Sequence, residues 1–133
     1  MVLDELMNHD SFVIYGAQVI AYGAYVAIRH LTGRKPECFA VGRSKGRSGY
    51  PTENPESIEG IPVRPIEEVP KGTFIIVGVT ELIQKEVLPY LAENGYRDVF
   101  ALTQHEEHLL MSEYYRSIER FPLADEMRED AAS

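Results

Sequence analysis

A chain of 133 residues, with 44% hydrophobic and 26% charged residues, has the size and composition of one globular domain. Its formal net charge of −8 argues against a general nucleic-acid binder. No apolar run approaches the roughly 18 residues that a membrane span needs. The acidic N-terminus MVLDELMNHD lacks an export signal, and Cys38 has no second cysteine to pair with, so we expect a cytoplasmic protein without a disulfide.

The first predicted elements are a short helix within residues 1–10, a strand and a longer helix. Residues 12–15 (FVIY) are aromatic and β-branched, which predicts a strand that stops at Gly16. From about residue 17 to residue 31 the apolar residues recur at spacings of three and four, which predicts an amphipathic helix. Gly33 is suited to ending that helix.

A second strand is predicted over residues 38–41 (CFAV), and a loop rich in Gly, Ser and Pro follows it over residues 42–57. Residues 61–63 (IPV) read as a short extended piece, which we place at a sheet edge because Pro62 has no N–H to donate. One helical turn is predicted over residues 66–69.

The strongest strand pattern is TFIIVGV, residues 73–79, after which Thr80 is a suitable helix N-cap. The following helix should end near Asn94 and Gly95, and Pro89 should bend it or split it in two. A last strand is predicted over residues 98–102 and a last helix from Gln104 to about residue 118.

Strands that alternate with helices predict an α/β fold with a mostly parallel sheet. We therefore expect residues 1–118 to form a small three-layer Rossmann-like domain with about five strands, followed by an acidic tail over residues 119–133. Ligands of such sheets bind beyond the carboxyl ends of the strands. The residues that this topology brings there form the candidate ligand-binding set: Gly16, Ala17, Gln18, Gly42, Arg43, Ser44, Lys45, Thr80 and Glu81.

The turn after the first strand departs from the dinucleotide-binding fingerprint at one position. Gly16 occupies the place of the first glycine and Ala21 the place of the third small residue, but Gln18 stands where pyrophosphate approaches the backbone. A helix N-terminus would still favour an anion there. We therefore expect the turn to survive and the usual pose of NAD to be disfavoured.

The end of the second strand also disfavours NAD. An acid usually follows this strand to hold the ribose hydroxyls, whereas this chain has Gly42, Arg43, Ser44 and Lys45. Six of the 13 basic residues fall between positions 29 and 47, where Glu37 is the only acid: Arg29, Arg34, Lys35, Arg43, Lys45 and Arg47. The cluster is either a solvated loop or an anion site in which Arg43 contacts a phosphate in two-pronged fashion.

No catalytic or metal-binding set follows from spacing. His105 and His108 lie three residues apart on the last predicted helix, but no third ligand is evident. Thr80 and Glu81 follow the central strand, so they either face a ligand or serve only the start of the next helix.

Three segments give the chain a family resemblance: FVIYGAQVIAYG, NPESIEGIPVRPIEEVP and TFIIVGVTELIQKEVLPYLAENGY. With them the chain resembles the Rossmann-like nucleotide-sugar-binding domains of bacterial polysaccharide-biosynthesis proteins, found at the N-terminus of sugar acyltransferases and in nucleoside-diphosphate-sugar dehydratases and epimerases. The resemblance covers about residues 11–103. The sequence departs from these relatives in two ways. Gln18 and Val19 replace the glycine and histidine of the acyltransferases. The β-helix repeats of the acyltransferases and the Tyr-x-x-x-Lys pair of the dehydratases are both absent from this sequence.

The resemblance implies a non-catalytic module that binds a nucleotide or nucleotide sugar in cell-surface polysaccharide biosynthesis. One alternative is an NADP-dependent oxidoreductase, or a fragment of an enzyme that modifies nucleotide sugars. Another is a protein-interaction domain of a glycosyltransferase with a vestigial pocket. The implied cofactor or ligand is NADP or a nucleotide sugar, the implied partner is a glycosyltransferase or sugar-modifying domain, and a homodimer is left open.

Overall fold

The computed structural model describes residues 1–42 and 54–119, and these form an α/β fold built on one mixed sheet. The first half of the described chain contains α1 (Val2–Leu6), β1 (Phe12–Tyr15), α2 (Val19–Thr32) and β2 (Phe39–Val41). The second half contains β3 (Ser57–Ile58), β4 (Ile61–Pro65), a 3-10 helix (Ile66–Glu68), β5 (Phe74–Val77), α3 (Glu81–Glu93), β6 (Val99–Ala101) and α4 (Gln104–Glu119). The acidic tail beyond residue 119 and most of the predicted loop, residues 43–53, lie outside the described residues.

The strands follow the order β3-β4-β2-β1-β5-β6, which gives six strands where about five were expected. The additional strand, β3, is antiparallel to β4, and every other neighbouring pair is parallel. Across the sheet the five parallel strands therefore lie in the order β4, β2, β1, β5 and β6. Counted along the chain, these are the third, second, first, fourth and fifth parallel strands. That order is compatible with a Rossmann-like layout.

The prediction that Pro62 lies at a sheet edge is wrong, because β3 covers β4 and forms the edge itself. The Val63 N–H donates to the Glu56 carbonyl on the β3 side, at 2.9 Å. Backbone groups alternate along a strand, so the Pro62 nitrogen faces the other side, where pairing with β2 begins only at Val63. The missing N–H therefore costs the sheet no ladder bond.

Pro89 does not split α3, which continues as one helix from Glu81 to Glu93; of the two predicted outcomes, a bend or a split, the split is excluded. Proline removes the bond that its N–H would make to the carbonyl four residues earlier, here Lys85. Both Pro89 and Lys85 are exposed, so water can solvate that carbonyl. Val87 and Leu91 remain buried on the opposite side and hold the helix on the sheet.

Two apolar clusters cover the two faces of the sheet and make three layers. On one face α1, α2 and α4 pack over Phe12, Ile14, Phe39 and Ile76. On the other face α3 and the 3-10 helix pack over Val13, Tyr15, Ala40 and Val77. Alternating residues of β1 thus point to opposite clusters, which explains why the whole strand is apolar.

Predicted helix ends agree with the structure where they can be compared. Gly33 ends α2 with a φ of 75°, and its N–H donates to the Arg29 carbonyl at 2.8 Å. Thr80 caps α3, since its Oγ1 accepts from the Ile83 N–H at 3.4 Å, and Asn94 ends that helix. None of the helices in the described ranges is long and apolar enough to cross a membrane.

Candidate functional site

The carboxyl ends of the parallel strands meet at one edge of the sheet, as the predicted topology requires. Tyr15, the last residue of β1, pairs with Ala40 of β2 on one side and with Val77 of β5 on the other. Val77 in turn pairs with Ala101, the last residue of β6. The predicted segments that follow β1, β2 and β5 therefore lie side by side, and we call this region the carboxyl edge.

Gly16 is buried at the centre of the carboxyl edge and adopts a φ of 121°, which disfavours any residue with a side chain. A Cβ atom at this position would lie 2.7 Å from the Gly78 carbonyl oxygen, 3.1 Å from Val79 Cγ1 and 3.2 Å from Ala21 Cβ. The Gly16 N–H donates to the Ala40 carbonyl at 2.8 Å. Glycine is therefore required here by contacts inside the protein, independently of any ligand.

Gly42 follows β2 and contacts the side chain of Tyr15. A Cβ atom on Gly42 would lie 2.6 Å from the Tyr15 hydroxyl oxygen, so a larger residue would displace that ring. The tyrosine thus fills space at the end of β2, where dinucleotide-binding sheets place an acid against the ribose. Arg43, Ser44 and Lys45, which continue the predicted set, fall outside the described residues.

The accessible part of the predicted turn is the start of α2. Ala17 is half-buried and Gln18 is exposed. Gln18 is the N-cap residue, and its side chain makes no capping hydrogen bond within the described chain. The first intrahelical bond runs from the Tyr22 N–H to the Gln18 carbonyl at 2.9 Å, so the N–H groups of the first turn precede the helical ladder. They give this exposed corner a partial positive charge.

Thr80 and Glu81 have internal partners at the start of α3. Thr80 is the helix cap described above, and Glu81 Oε1 accepts the backbone N–H of Gln104 at 3.1 Å. Glu81 thereby joins the beginnings of α3 and α4. Both side chains are exposed at the carboxyl edge, but the contacts that the structure gives them are structural.

Gln84 is a residue of this edge that the sequence interpretation missed. Its Nε2 donates to the carbonyls of Val79, at 3.0 Å, and Leu102, at 2.9 Å, which follow β5 and β6. The signal was present in the sequence, because Gln84 lies three residues before Val87 and seven before Leu91, on the apolar face of α3. A polar residue on such a face is either an interruption or a buried hydrogen-bonding group.

Large apolar side chains are exposed at the starts of α2 and α3. Val19 is 84% exposed, Leu82 is 75% exposed and Ile83 is 45% exposed. Each belongs to the first turn of its helix, at the carboxyl edge. This edge therefore offers apolar surface in addition to helix N–H groups.

Within the described ranges, no group of three or more histidine, cysteine, aspartate or glutamate side chains is placed to hold a metal ion. His105 and His108 are exposed on α4.

One oxygen of Glu106 (Oε2) is buried and accepts no hydrogen bond from the described chain. The sequence Thr103-x-x-Glu106 has the form of a capping box. The Glu106 N–H donates to Thr103 Oγ1 at 3.2 Å, whereas the Thr103 N–H donates to the Ala101 carbonyl and not to the Glu106 carboxylate.

Two side chains have altered acidities with clear causes. The negative charge of Glu59 raises the pKa of Tyr22, whose hydroxyl donates to Glu59 Oε1 at 3.3 Å. Burial raises the pKa of the Cys38 thiol, which faces the second apolar cluster. The two shifts have separate and ordinary causes, a neighbouring carboxylate for Tyr22 and burial for Cys38, so they do not mark a reactive centre.

Comparison of the chain with family models, with curated proteins and with solved structures finds no match.

Proposed function

We propose that the protein is a non-catalytic module that binds an anionic nucleotide or nucleotide sugar at the exposed start of α2. The observation that carries this proposal is the uncapped first turn of α2 at the carboxyl edge. In α3 and α4 a threonine side chain occupies the corresponding place, Thr80 and Thr103 respectively. Helix N–H groups that lack a protein acceptor bind phosphate or carboxylate oxygens well.

The start of α2 suits a ligand with one nucleotide unit better than it suits a dinucleotide. Gly16 is enclosed by Gly78, Val79 and Ala21, and Gln18 projects from the exposed corner. A pyrophosphate that lay across the turn in the usual dinucleotide pose would meet the Gln18 side chain. A phosphate group that approaches the helix end-on, which one phosphate of a sugar nucleotide can do, needs only the first-turn N–H groups.

The sequence resemblance alone supports the setting of this module in bacterial cell-surface polysaccharide biosynthesis. The strand order is compatible with the proposed Rossmann-like character. The ligand would be a sugar nucleotide that a glycosyltransferase or sugar-modifying domain uses. We propose a cytoplasmic location, where the single cysteine, Cys38, would stay reduced.

The direct test is a thermal-shift panel of UDP-sugars, CMP-sugars and NADP(H). A ligand at one hundred times its Kd stabilises the folded state by about 2.7 kcal/mol, which is a readily measured shift. We expect a sugar nucleotide to raise the Tm. A shift with NADP(H) alone would instead favour the oxidoreductase alternative.

A Gln18→Glu variant tests the location of the site. The substitution keeps the size of the side chain and adds a negative charge at a helix N-terminus, which favours folding. It should therefore preserve the Tm of the free protein while it weakens an anionic ligand by about tenfold, or ~1.4 kcal/mol. Gln104→Glu makes the same change at the start of α4 and should leave affinity unchanged. Equal effects of the two variants would contradict a site at α2.

A protein-interaction module is the second candidate, and the exposed Val19, Leu82 and Ile83 favour it. Exposed apolar side chains at one edge are typical of surfaces that another protein covers. In this case no nucleotide would shift the Tm, and Leu82→Lys would abolish association with a glycosyltransferase of the same pathway or with a second copy, measured by light scattering after gel filtration.

A further inference from the structure

Among the described residues, Gln84 is the only buried one with an amide or charged side chain, and 4% of its surface is exposed. It lies in the first turns of α3, on the side that Val87 and Leu91 bury against the sheet. A primary amide in such a place is costly to bury unless its hydrogen-bonding groups are used. The contacts of Gln84 show how they are used.

Both hydrogens of the Gln84 amide nitrogen have acceptors. Nε2 lies 3.0 Å from the Val79 carbonyl oxygen and 2.9 Å from the Leu102 carbonyl oxygen. Val79 follows β5 and Leu102 follows β6, so one side chain joins the ends of two neighbouring strands. A glutamate has no N–H to offer these carbonyls and a methionine has no donor at all.

Val79 connects Gln84 to the candidate site. Val79 Cγ1 lies against Gly16, and Gly78 lies against Ala21 in the first turn of α2. The position of the α2 start therefore depends on where the segment after β5 is held. The Gln84 amide holds it from the other side.

We propose that Gln84 is a positioning residue for the carboxyl edge: its amide holds Val79 against the Gly16 turn and thereby fixes the exposed start of α2. The residue does not touch the ligand and acts through Val79. The part of this inference that concerns ligand affinity rests on the proposed function, whereas the part that concerns the local structure does not.

The test compares Gln84→Met with Lys85→Met. The first variant keeps the volume of the side chain and removes both donors, and the second makes the same replacement at the next, exposed residue. Amide hydrogen exchange is followed by NMR at the hydrogen-bonded amides of the carboxyl edge (Gly16, Tyr22, Gly78 and Leu102) and at Ile14 and Phe39 in the core. We expect exchange at the edge to become at least tenfold faster in Gln84→Met, with the core changed by a smaller factor and Lys85→Met like the wild type.

An equal acceleration at all of these amides, or none at the edge, would overturn the proposal, since Gln84 would then contribute only to global stability. If Gln84→Met does not fold, Val79→Ala is measured in its place. This variant removes the methyl groups against Gly16, so it should accelerate exchange at the hydrogen-bonded amides of Gly16 and Tyr22, and wild-type exchange there would also overturn the proposal.

Ligand affinity separates this inference from the proposed function. Where the wild type binds a sugar nucleotide, Gln84→Met should weaken binding about tenfold and Lys85→Met should not. Where the wild type binds none of the panel, the proposed function fails and the exchange measurement alone decides the role of Gln84.

Discussion

At the scale of single residues, the small side chains at the carboxyl edge serve the protein's own packing. Gly16 meets Gly78, Val79 and Ala21, and Gly42 meets the Tyr15 hydroxyl. A glycine after the first strand is the usual signature of a nucleotide-binding turn. Here the same glycine is needed to let two strand ends and a helix approach each other, so its presence is no sign of a ligand by itself.

Gly16→Ala should destabilise the protein by about 3 kcal/mol. The new Cβ atom would lie within contact distance of the Gly78 carbonyl oxygen, and alanine is strained at this positive φ. Urea unfolding measures the change. Gly72→Ala is the matched control, because a Cβ atom there meets nothing within 4 Å, and it should change the free energy of unfolding by less than about 1 kcal/mol. Similar losses in both variants would show that the contacts around Gly16 are not the cause.

Gln18→Gly should strengthen the binding of a dinucleotide. The change restores the residue that the fingerprint has at this position and removes the side chain from the path of a pyrophosphate. Calorimetric titration of wild type and variant with NADP(H) measures the effect. Unchanged binding would mean that Gln18 does not control access to the turn.

At the scale of elements, α2 differs from the other long helices in two ways. Its N-terminus lacks a side-chain cap, and Gly23 stands in its interior. A glycine inside a helix costs about 1 kcal/mol relative to alanine. No described atom lies within 4 Å of a Cβ atom at Gly23, so no contact within the described chain requires the glycine.

Gly23→Ala should therefore stabilise the protein by about 0.5–1 kcal/mol. The comparison is Gly78→Ala. Its new Cβ atom would lie 3.1 Å from the Ala21 Cα, so this substitution should destabilise the junction of β5 and α2. Thermal unfolding of the two variants should shift the Tm in opposite directions. A lower Tm for Gly23→Ala would show that this part of α2 is more crowded than the structure indicates.

At the scale of the whole molecule, two apolar clusters cover the two faces of one sheet. Cys38 belongs to the second cluster, so the accessibility of its thiol measures whether that cluster is intact. Its thiol is buried, so thiol reagents should label it only when the protein unfolds. With reclosing faster than reaction, the rate of labelling in native conditions should be proportional to the population of the open form, and it should rise steeply in urea. Rapid labelling of the native protein would mean that this cluster opens locally.

The same thiol should make stability depend on pH in the alkaline range. Burial raises the pKa of the Cys38 thiol in the folded state above its ordinary value. The folded state then binds the thiol proton more tightly than the unfolded state does. The resulting contribution to the free energy of unfolding is fully present below the pKa of the unfolded state and is lost as pH rises through the pKa of the folded state. Urea unfolding at pH 8 and pH 10 should show a larger loss for wild type than for Cys38→Ala. Equal losses would indicate that the thiol ionises equally in both states.

Much of the fold was predictable because its signals are local. Alternation and apolar runs marked the strands, periodicity marked α2, α3 and α4, and Thr80, Gly33 and Asn94 marked helix ends. The wrong prediction concerned Pro62, whose position in the sheet depends on which strand pairs beside it. Pro62 is covered by β3, and Pro89 is tolerated because its lost bond faces water.

The candidate site was predictable only in its outline. Chain order and the rules for parallel sheets were enough to bring residues 16–18, 42 and 78–81 to one edge. Which atoms fill that edge was not, because the Tyr15 ring against Gly42, Val79 against Gly16, and the Gln84 amide between two carbonyls join segments far apart in the chain. Sequence periodicity alone determined which residues form helices and strands and which faces are apolar, since those properties depend on neighbours within a few residues. The tertiary structure decided whether the glycine turn is open or filled, since that depends on the segment after β5 and on Ala21 of α2 packing against Gly16 within the same few ångströms.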